Sequence, residues 1–204
     1  MGAHTGAPLQ RYMTYNPDIH HRRSIRLKDY DYSQAGVYFI TICTQNRECL
    51  FGEITDGAMQ VNFAGKMIQK WWSELIKKFK DIELDEFIIM PNHIHGIILI
   101  NIVGATLCGR PDLMNEQYQK TGQPHRVAPT LGDIMDWFKT MTTNEYIVGV
   151  NMHGWPRFNG KLWQRNYYEH IIRNGDDLNT IREYIAMNPM RWAEDEENPN
   201  RLKR

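Results

Sequence analysis

One stretch constrains this chain more than any other: Glu86-Phe87-Ile88-Ile89-Met90, then Pro91-Asn92, then His93-Ile94-His95-Gly96-Ile97-Ile98-Leu99-Ile100. It is too short, and too interrupted by Pro91-Asn92-His93 and by His95, to span a bilayer. Short apolar runs on either side of a turn signal read as strands, so two strands joined by a tight connection are expected here. In a strand, side chains at i and i+2 share a face. His93 and His95 therefore project together; Ile94 is assigned to the other face, and Ile97 and Leu99 are grouped with it. Two imidazoles on one rigid face make a two-point clamp for a metal ion. The alternative is a pair of strand-end histidines hydrogen-bonded to neighbours. Gly96 is expected to leave room for a substrate to approach the sheet.

The rest of the chain builds an α+β order around this pair. Val37 to Cys43 is rich in β-branched and aromatic residues and reads as the first strong strand. A hairpin is expected from Leu50-Phe51-Gly52-Glu53-Ile54, the turn signal Asp56-Gly57, and Met59-Gln60-Val61. Residues 63–80 keep helical spacing through Ala64, Met67, Ile68, Trp71, Trp72, Leu75 and Phe79. Trp71 and Trp72 are assigned to the core. Residues 102–128 lose periodicity and read as a long loop. A helix is expected from near Pro129 towards Ile147, a Gly/Pro/Asn loop over 149–160, and a strand-like aromatic segment over 162–168, with 169–173 ambiguous. A last helix starts at Asp176-Asp177 and stops before Pro189. The charged residues from Glu194 onward read as a frayed tail. The order predicts one largely antiparallel sheet with helices packed on it. The domain reading is a basic arm over 1–35, a core domain over 36–192 carrying the 102–128 loop, and a charged tail over 193–204.

Bulk composition sets limits without deciding function. Lys and Arg number 24, as do Asp and Glu, so no global positive charge marks a nucleic-acid binder, though local patches can serve. Three cysteines, Cys43, Cys49 and Cys108, form no CxxC pair, which suits a reducing cytosol. No apolar leader is visible at the N-terminus, and a cytoplasmic protein with no membrane partner is expected.

The last helix holds Tyr184 and Asn188 at i and i+4, on one face and one turn apart. An amide oxygen is a hard neutral donor that can complete a site begun by two histidines. A phenol is a weak nucleophile at neutral pH but forms covalent intermediates when a metal or base activates it. The alternative is that Tyr184 packs in the core and Asn188 caps the helix.

Taken together, Met90-Pro91-Asn92-His93-Ile94-His95-Gly96, the segment Trp163-Gln164-Arg165-Asn166-Tyr167-Tyr168-Glu169-His170-Ile171-Ile172-Arg173-Asn174, and Tyr184-Ile185 with Asn188-Pro189 resemble the REP-associated tyrosine transposases. These are relatives of the single-tyrosine transposases of small insertion sequences, within the HUH endonucleases. Tyr38 to Arg47 also looks like that family's first strand, and the resemblance runs from about His20 to Trp192. It implies a ferredoxin-like or RRM-like sandwich with the HUH motif on a central strand. It implies a metal site of His93 and His95 with Asn188 in the position of the third ligand, holding Mg²⁺ or Mn²⁺, and Tyr184 as the nucleophile. It implies as substrate single-stranded DNA with hairpin or palindromic repeats, nicked and rejoined through a 5′-phosphotyrosine, by a monomer or homodimer located at the bacterial nucleoid.

Other residues are candidates for supporting roles. With only neutral ligands, a bound cation would keep its full charge for the phosphate. Glu169-His170 is an acid–imidazole pair suited to orienting the metal site or shuttling a proton, or else to a structural hydrogen bond. Arg22, Arg23, Arg26 and Lys28 suit phosphate contacts. Trp163, Arg165, Tyr167, Tyr168 and Arg173 mix rings and guanidiniums as stacking on unpaired bases requires, although core packing accounts for such aromatics equally well. Rival functions are a catalytically inactive relative that only binds hairpin DNA, a hydrolase of small phosphoesters, and an RNA-binding module; the last lacks the expected aromatic pattern on its strands.

Overall fold

Alternation along the first strand determines the layering. In a computed structural model that describes residues 35–101 and 129–201, strand β1 (Gly36–Cys43) points Tyr38, Ile40 and Ile42 to one face and Val37, Phe39 and Thr41 to the other. Both sets are buried or half-buried, so this strand is covered on two sides. Strands β2 (Gly52–Thr55) and β3 (Ala58–Val61) form a separate hairpin. Its turn, Asp56-Gly57, has both residues at positive φ (52° and 74°), the twist that two-residue hairpin loops require.

Helix α1 (Phe63–Lys78) begins where the Asn62 side chain accepts the Gly65 N–H at 2.9 Å. Of its predicted stripe, Ala64, Met67, Ile68, Trp72 and Leu75 are buried, whereas Phe79 and Trp71, the latter assigned to the core, are only half-buried, with Trp71 Nε1 donating to Glu145 at 2.7 Å. Strand β4 (Ile82–Ile89) carries an irregularity between Leu84 and Phe87, and β5 (His93–Ile100) follows after Pro91-Asn92. Helix α2 (Leu131–His153) opens on a reciprocal cap between Thr130 and Asp133 and closes at Gly154, which takes the left-handed conformation. Strand β6 (Tyr168–Ile172) and helix α3 (Gly175–Met187) complete the described chain, followed by a 3-10 turn over Pro189–Glu194.

The main sheet has the order β4-β5-β1-β6 with every neighbour antiparallel. Leaving the β2–β3 hairpin aside, the chain runs β-α-β-β-α-β with its first and third strands in the centre, the ferredoxin-like arrangement. Helices α1 and α2 cover the face bearing Tyr38, Ile40, Ile94 and Ile98, where Trp72 stacks on Phe87 (ring centroids 4.4 Å) and meets Phe138 edge-on. Helix α3 covers the other face: Ile181 and Ile185 pack on Phe39, Ile97 and Ile172. The HUH motif thus lies on β5, an inner strand.

Several expectations are corrected. Ile97 and Leu99 lie on the histidine face, since Ile97 pairs with Phe39 and Leu99 with Val37; the period of two itself demands this. A Cβ on Gly96 would meet the Trp72 ring at 2.4 Å, so the missing side chain makes room for an indole and not for a substrate. Helix α2 continues through Gly149 to His153, because that glycine accommodates Trp155 against the helix. The strand at the sheet edge is 168–172, not 162–168; of that aromatic segment, Trp163 contributes only an isolated bridge to Thr44. Residues 194–201 are not frayed: Asp195 and Asn198 are buried, and Glu197 pairs with Arg47 at 2.7 Å. The arm up to residue 34, the 102–128 loop and the last three residues lie outside the described residues.

Candidate metal centre and tyrosine site

The two histidines emerge where the α3 face of the sheet changes from apolar to polar. Across β1, His95 faces Thr41 and His93 faces Cys43. Both rings are buried. The Asn92 side chain sets the chemistry of His93: its Nδ2 donates to the Arg47 carbonyl at 3.0 Å and the Glu197 carbonyl at 2.6 Å. With both donor positions used, Asn92 Oδ1 is the acceptor facing His93 Nδ1 at 2.9 Å. His93 Nδ1 therefore carries the proton and its Nε2 the lone pair. Thr41 Oγ1 lies 2.8 Å from His95 Nδ1 and can hold that ring in the same tautomer.

The Nε2 atoms of the two rings then stand 3.0 Å apart. Two nitrogens bound at right angles to one small divalent ion at ~2.1 Å are separated by ~3.0 Å, so the spacing suits adjacent ligands on an octahedral cation. Burial pushes the His95 imidazole down to about 3, and burial plus its neighbour His95 hold His93 well below the ordinary range. Both rings are therefore neutral near pH 7, the form that binds metal.

Helix α3 delivers Asn188 and Tyr184 to the same place. Asn188 closes the helix, its N–H bonding to Ile185 O, and its side-chain amide lies 3.2 Å from His95 Nε2. Its Oδ1 is buried with no hydrogen-bond partner. An orphaned acceptor of this kind is costly, and the two amide positions interchange by a simple flip; a cation among the histidines would satisfy it. The cap and the candidate ligand are thus the same residue. Tyr184 meets His95 edge-on at 5.2 Å between centroids and Phe39 at 6.0 Å. Burial pushes its phenol well above the usual range, with the carboxylates of Asp195, Glu197 and Glu196 adding to the rise and a hydrogen bond with Asn188 opposing it. The two alternatives for Tyr184 are not exclusive: it packs on the core and it borders the histidines.

Asp195 is a site residue that the sequence reading missed. Ligand atoms of His93, His95 and Asp195 all lie within 4.8 Å of one another, and the three side chains are buried. This group can hold a divalent metal ion. Burial raises the Asp195 carboxyl to about 6, Glu197 and Glu196 add to it, and the Glu197 N–H and Asn188 pull the other way. A carboxylate thus stands beside the neutral donors His93, His95 and Asn188. Nothing in the local sequence marks Asp195 among the acidic residues that follow Trp192; the 3-10 turn after Pro189 brings it back over the histidines.

Comparison with known proteins places the chain among relatives. No protein-family model matches it. It is 43% identical over 186 residues to an uncharacterized protein of Haemophilus influenzae, covering 89% of this chain and 96% of that one. The chain belongs to the family of that protein. Among solved structures it is similar to a REP-associated tyrosine transposase bound to a REP hairpin, at 16% identity and a TM-score of 0.49, covering 85% of this chain and 74% of that one.

The remaining sequence candidates separate. Glu169 and His170 do not form a pair: Glu169 lies opposite Ile40 on the α1/α2 face, whereas His170 lies opposite Phe39 and bonds Asp177 at 3.0 Å. Adjacent strand residues point apart, so the pairing was excluded by geometry; Thr41 and Asn92 contact the His95 and His93 rings instead. Trp163 is buried, with Nε1 donating to Thr142 Oγ1 at 2.9 Å, and is not a surface for stacking bases. Tyr167 is half-buried beneath Lys139, whose Nζ lies 5.2 Å from the ring centroid, and Tyr168 is half-buried against Phe39. Arg165 and Arg173 are exposed. Arg22, Arg23, Arg26 and Lys28 fall outside the described residues. Among the described residues no helix is long and apolar enough to cross a membrane.

Proposed function

We propose that this chain is an HUH-type transposase that nicks and rejoins single-stranded DNA, with Tyr184 as nucleophile and His93, His95 and Asn188 as neutral ligands of Mg²⁺ or Mn²⁺. The observation that carries the reading is the convergence of two non-local parts: one turn of α3 sets the Tyr184 ring beside His95 and the Asn188 amide 3.2 Å from His95 Nε2.

A divalent cation held there supplies Lewis acidity, neutralising charge on the scissile phosphate. Asn92 and Thr41 keep the Nε2 lone pairs of the histidines turned to the site. Tyr184 Oη forms a bond to phosphorus as the phosphorus–O3′ bond breaks. The phenol proton goes to water and the leaving O3′ takes one up, giving a free 3′-hydroxyl and a 5′-phosphotyrosine with no net proton change. A 3′-hydroxyl of another strand then attacks the phosphotyrosine, restoring Tyr184 and a phosphodiester. The bond count is unchanged, so no nucleotide cofactor is required. A phenol is protonated at neutral pH, and burial pushes Tyr184 further that way, so its attack requires loss of that proton.

The proposed substrate is single-stranded DNA carrying hairpin or palindromic repeats. Arg165 and Arg173, with the arm residues Arg22, Arg23, Arg26 and Lys28, are proposed phosphate contacts. The proposed location is the cytoplasm, at the nucleoid. The protein is incubated with Mn²⁺ and single-stranded hairpin DNA from the flanks of its own gene, and covalent protein–DNA adducts are resolved on a denaturing gel. Wild type is expected to give an adduct, and Tyr184→Phe none. A persisting adduct in Tyr184→Phe removes the nucleophile assignment. Shifted but uncut DNA favours a hairpin-binding protein, and cleavage of duplex DNA contradicts the single-strand reading.

A further inference from the structure

We propose that Asp195 is a metal ligand carried in by the C-terminal segment, so that binding of a divalent ion and docking of residues 188–198 over the histidines are one linked equilibrium. The proposal rests on the reading of His93 and His95 as a metal centre.

The carboxylate is aimed by its own backbone. Asp195 ends the 3-10 turn, its N–H bonding to Trp192 O at 3.1 Å. Its Oδ1 accepts the Glu197 N–H at 2.7 Å. That leaves Oδ2 to face the site, 3.9 Å from His93 Nε2. The distance is too long for a hydrogen bond, and His93 Nε2 already bears a lone pair because its proton is on Nδ1. Two buried electron-rich atoms face each other across this gap. The Asn188 amide beside the carboxylate eases this arrangement, and a cation between the two atoms would satisfy both directly. Ligands on one small divalent ion stand ~3.0 Å apart when adjacent and ~4.2 Å when opposite, and 3.9 Å falls within that span.

The same segment is tied to His93 from behind. Asn92 Oδ1 accepts from His93 Nδ1 and its Nδ2 donates to Glu197 O, so one buried amide holds both the ring and the tail. The Glu197 carboxylate meets Arg47 Nε at 2.7 Å, and Asn198 Nδ2 donates to Trp192 O at 2.8 Å. Neither Arg47 nor Glu197 offers a ligand in this cluster, yet both hold the segment that carries one. An ion that binds only the docked form must favour docking, and docking must raise ion affinity by the same factor.

Mn²⁺ alone is the probe, titrated into the full chain without DNA and followed by the electron paramagnetic resonance of free Mn²⁺. Asp195→Asn, which keeps an acceptor for the Glu197 N–H, is expected to weaken binding at least tenfold. Arg47→Ala, which removes no ligand, is expected to weaken it several-fold. Hydrogen exchange of amides 192–198 is expected to slow on Mn²⁺ addition in wild type and to stay unchanged in Asp195→Asn. Circular dichroism of the metal-free variants is expected to match wild type. Wild-type affinity in both variants, or no Mn²⁺-dependent protection of the segment, overturns the proposal. If His95→Ala abolishes Mn²⁺ binding while Asp195→Asn does not, the metal centre stands and this linkage falls. If wild type binds no Mn²⁺, both fall.

Discussion

The two faces of the central sheet do opposite work with the same strands. On the α1/α2 face, Tyr38, Ile40, Ile42, Ile94 and Ile98 are buried apolar side chains packed under Trp72 and Phe138. On the α3 face, β1 and β5 are equally apolar at one end of their pairing, with Phe39 and Ile97 under Ile181 and Ile185, and polar at the other, through Thr41, His95 and His93, with Asn92 just before β5. The polar end is as buried as the apolar one, so its cost is met by paired groups such as Thr41 with His95 and Asn92 with His93. One face can carry stability while half of the other is left to chemistry. Every second residue of β5 serves each task.

The comparison predicts that stability and metal binding respond to different faces. The largest stability effect expected is Ile98→Ala, which opens a cavity beneath α1 and α2 and costs about 2–5 kcal/mol in chemical denaturation, with Mn²⁺ affinity retained in the folded fraction. A matching loss of affinity would mean that the faces are not independent. Gly96→Ala comes next: its Cβ would press on the stacked Trp72 ring, and overpacking of this kind costs about 1–3 kcal/mol. Unchanged stability in Gly96→Ala would show that Trp72 is free to shift.

The shallowest effect is the pH dependence of the metal-free protein. His95 falls from an ordinary imidazole to about 3 on folding, and His93 shifts in the same direction. The unfolded chain therefore binds more protons than the folded one below about pH 6.5, and stability falls as pH drops through that window. Asp195, raised to about 6, has the opposite sign: its contribution improves as pH falls from about 6 towards the ordinary carboxyl range. The two buried imidazoles outweigh the single carboxyl, so melting temperature is expected to decline gently below about pH 6. Saturating Mn²⁺ should lift the curve most near neutrality, where ligands need lose no protons. A curve that rises on acidification would show that the carboxyl dominates the site.

The periodicity of the chain alone determined the α1 stripe, the placing of β1 and β5 as strands, the shared face of His93 and His95, and the one-turn spacing of Tyr184 and Asn188. These are consequences of fixed local geometry, two residues per strand repeat and about four between helix neighbours. The same rule, applied consistently, also placed Ile97 with the histidines and separated Glu169 from His170. Only the tertiary structure decided which non-local partners meet. It set Trp72 over Gly96, Thr41 against His95, and Trp163 in the core. It also folded Asp195 back over His93 through a turn beginning at Pro189. An acidic run reads as solvated because most such runs stay in water, and nothing in its local pattern encodes a buried partner that lies 102 residues earlier in the chain (Asp195 and His93). The histidine pair was therefore legible in the sequence, whereas the carboxylate beside it and the contacts that hold that carboxylate depend on packing between segments far apart in sequence.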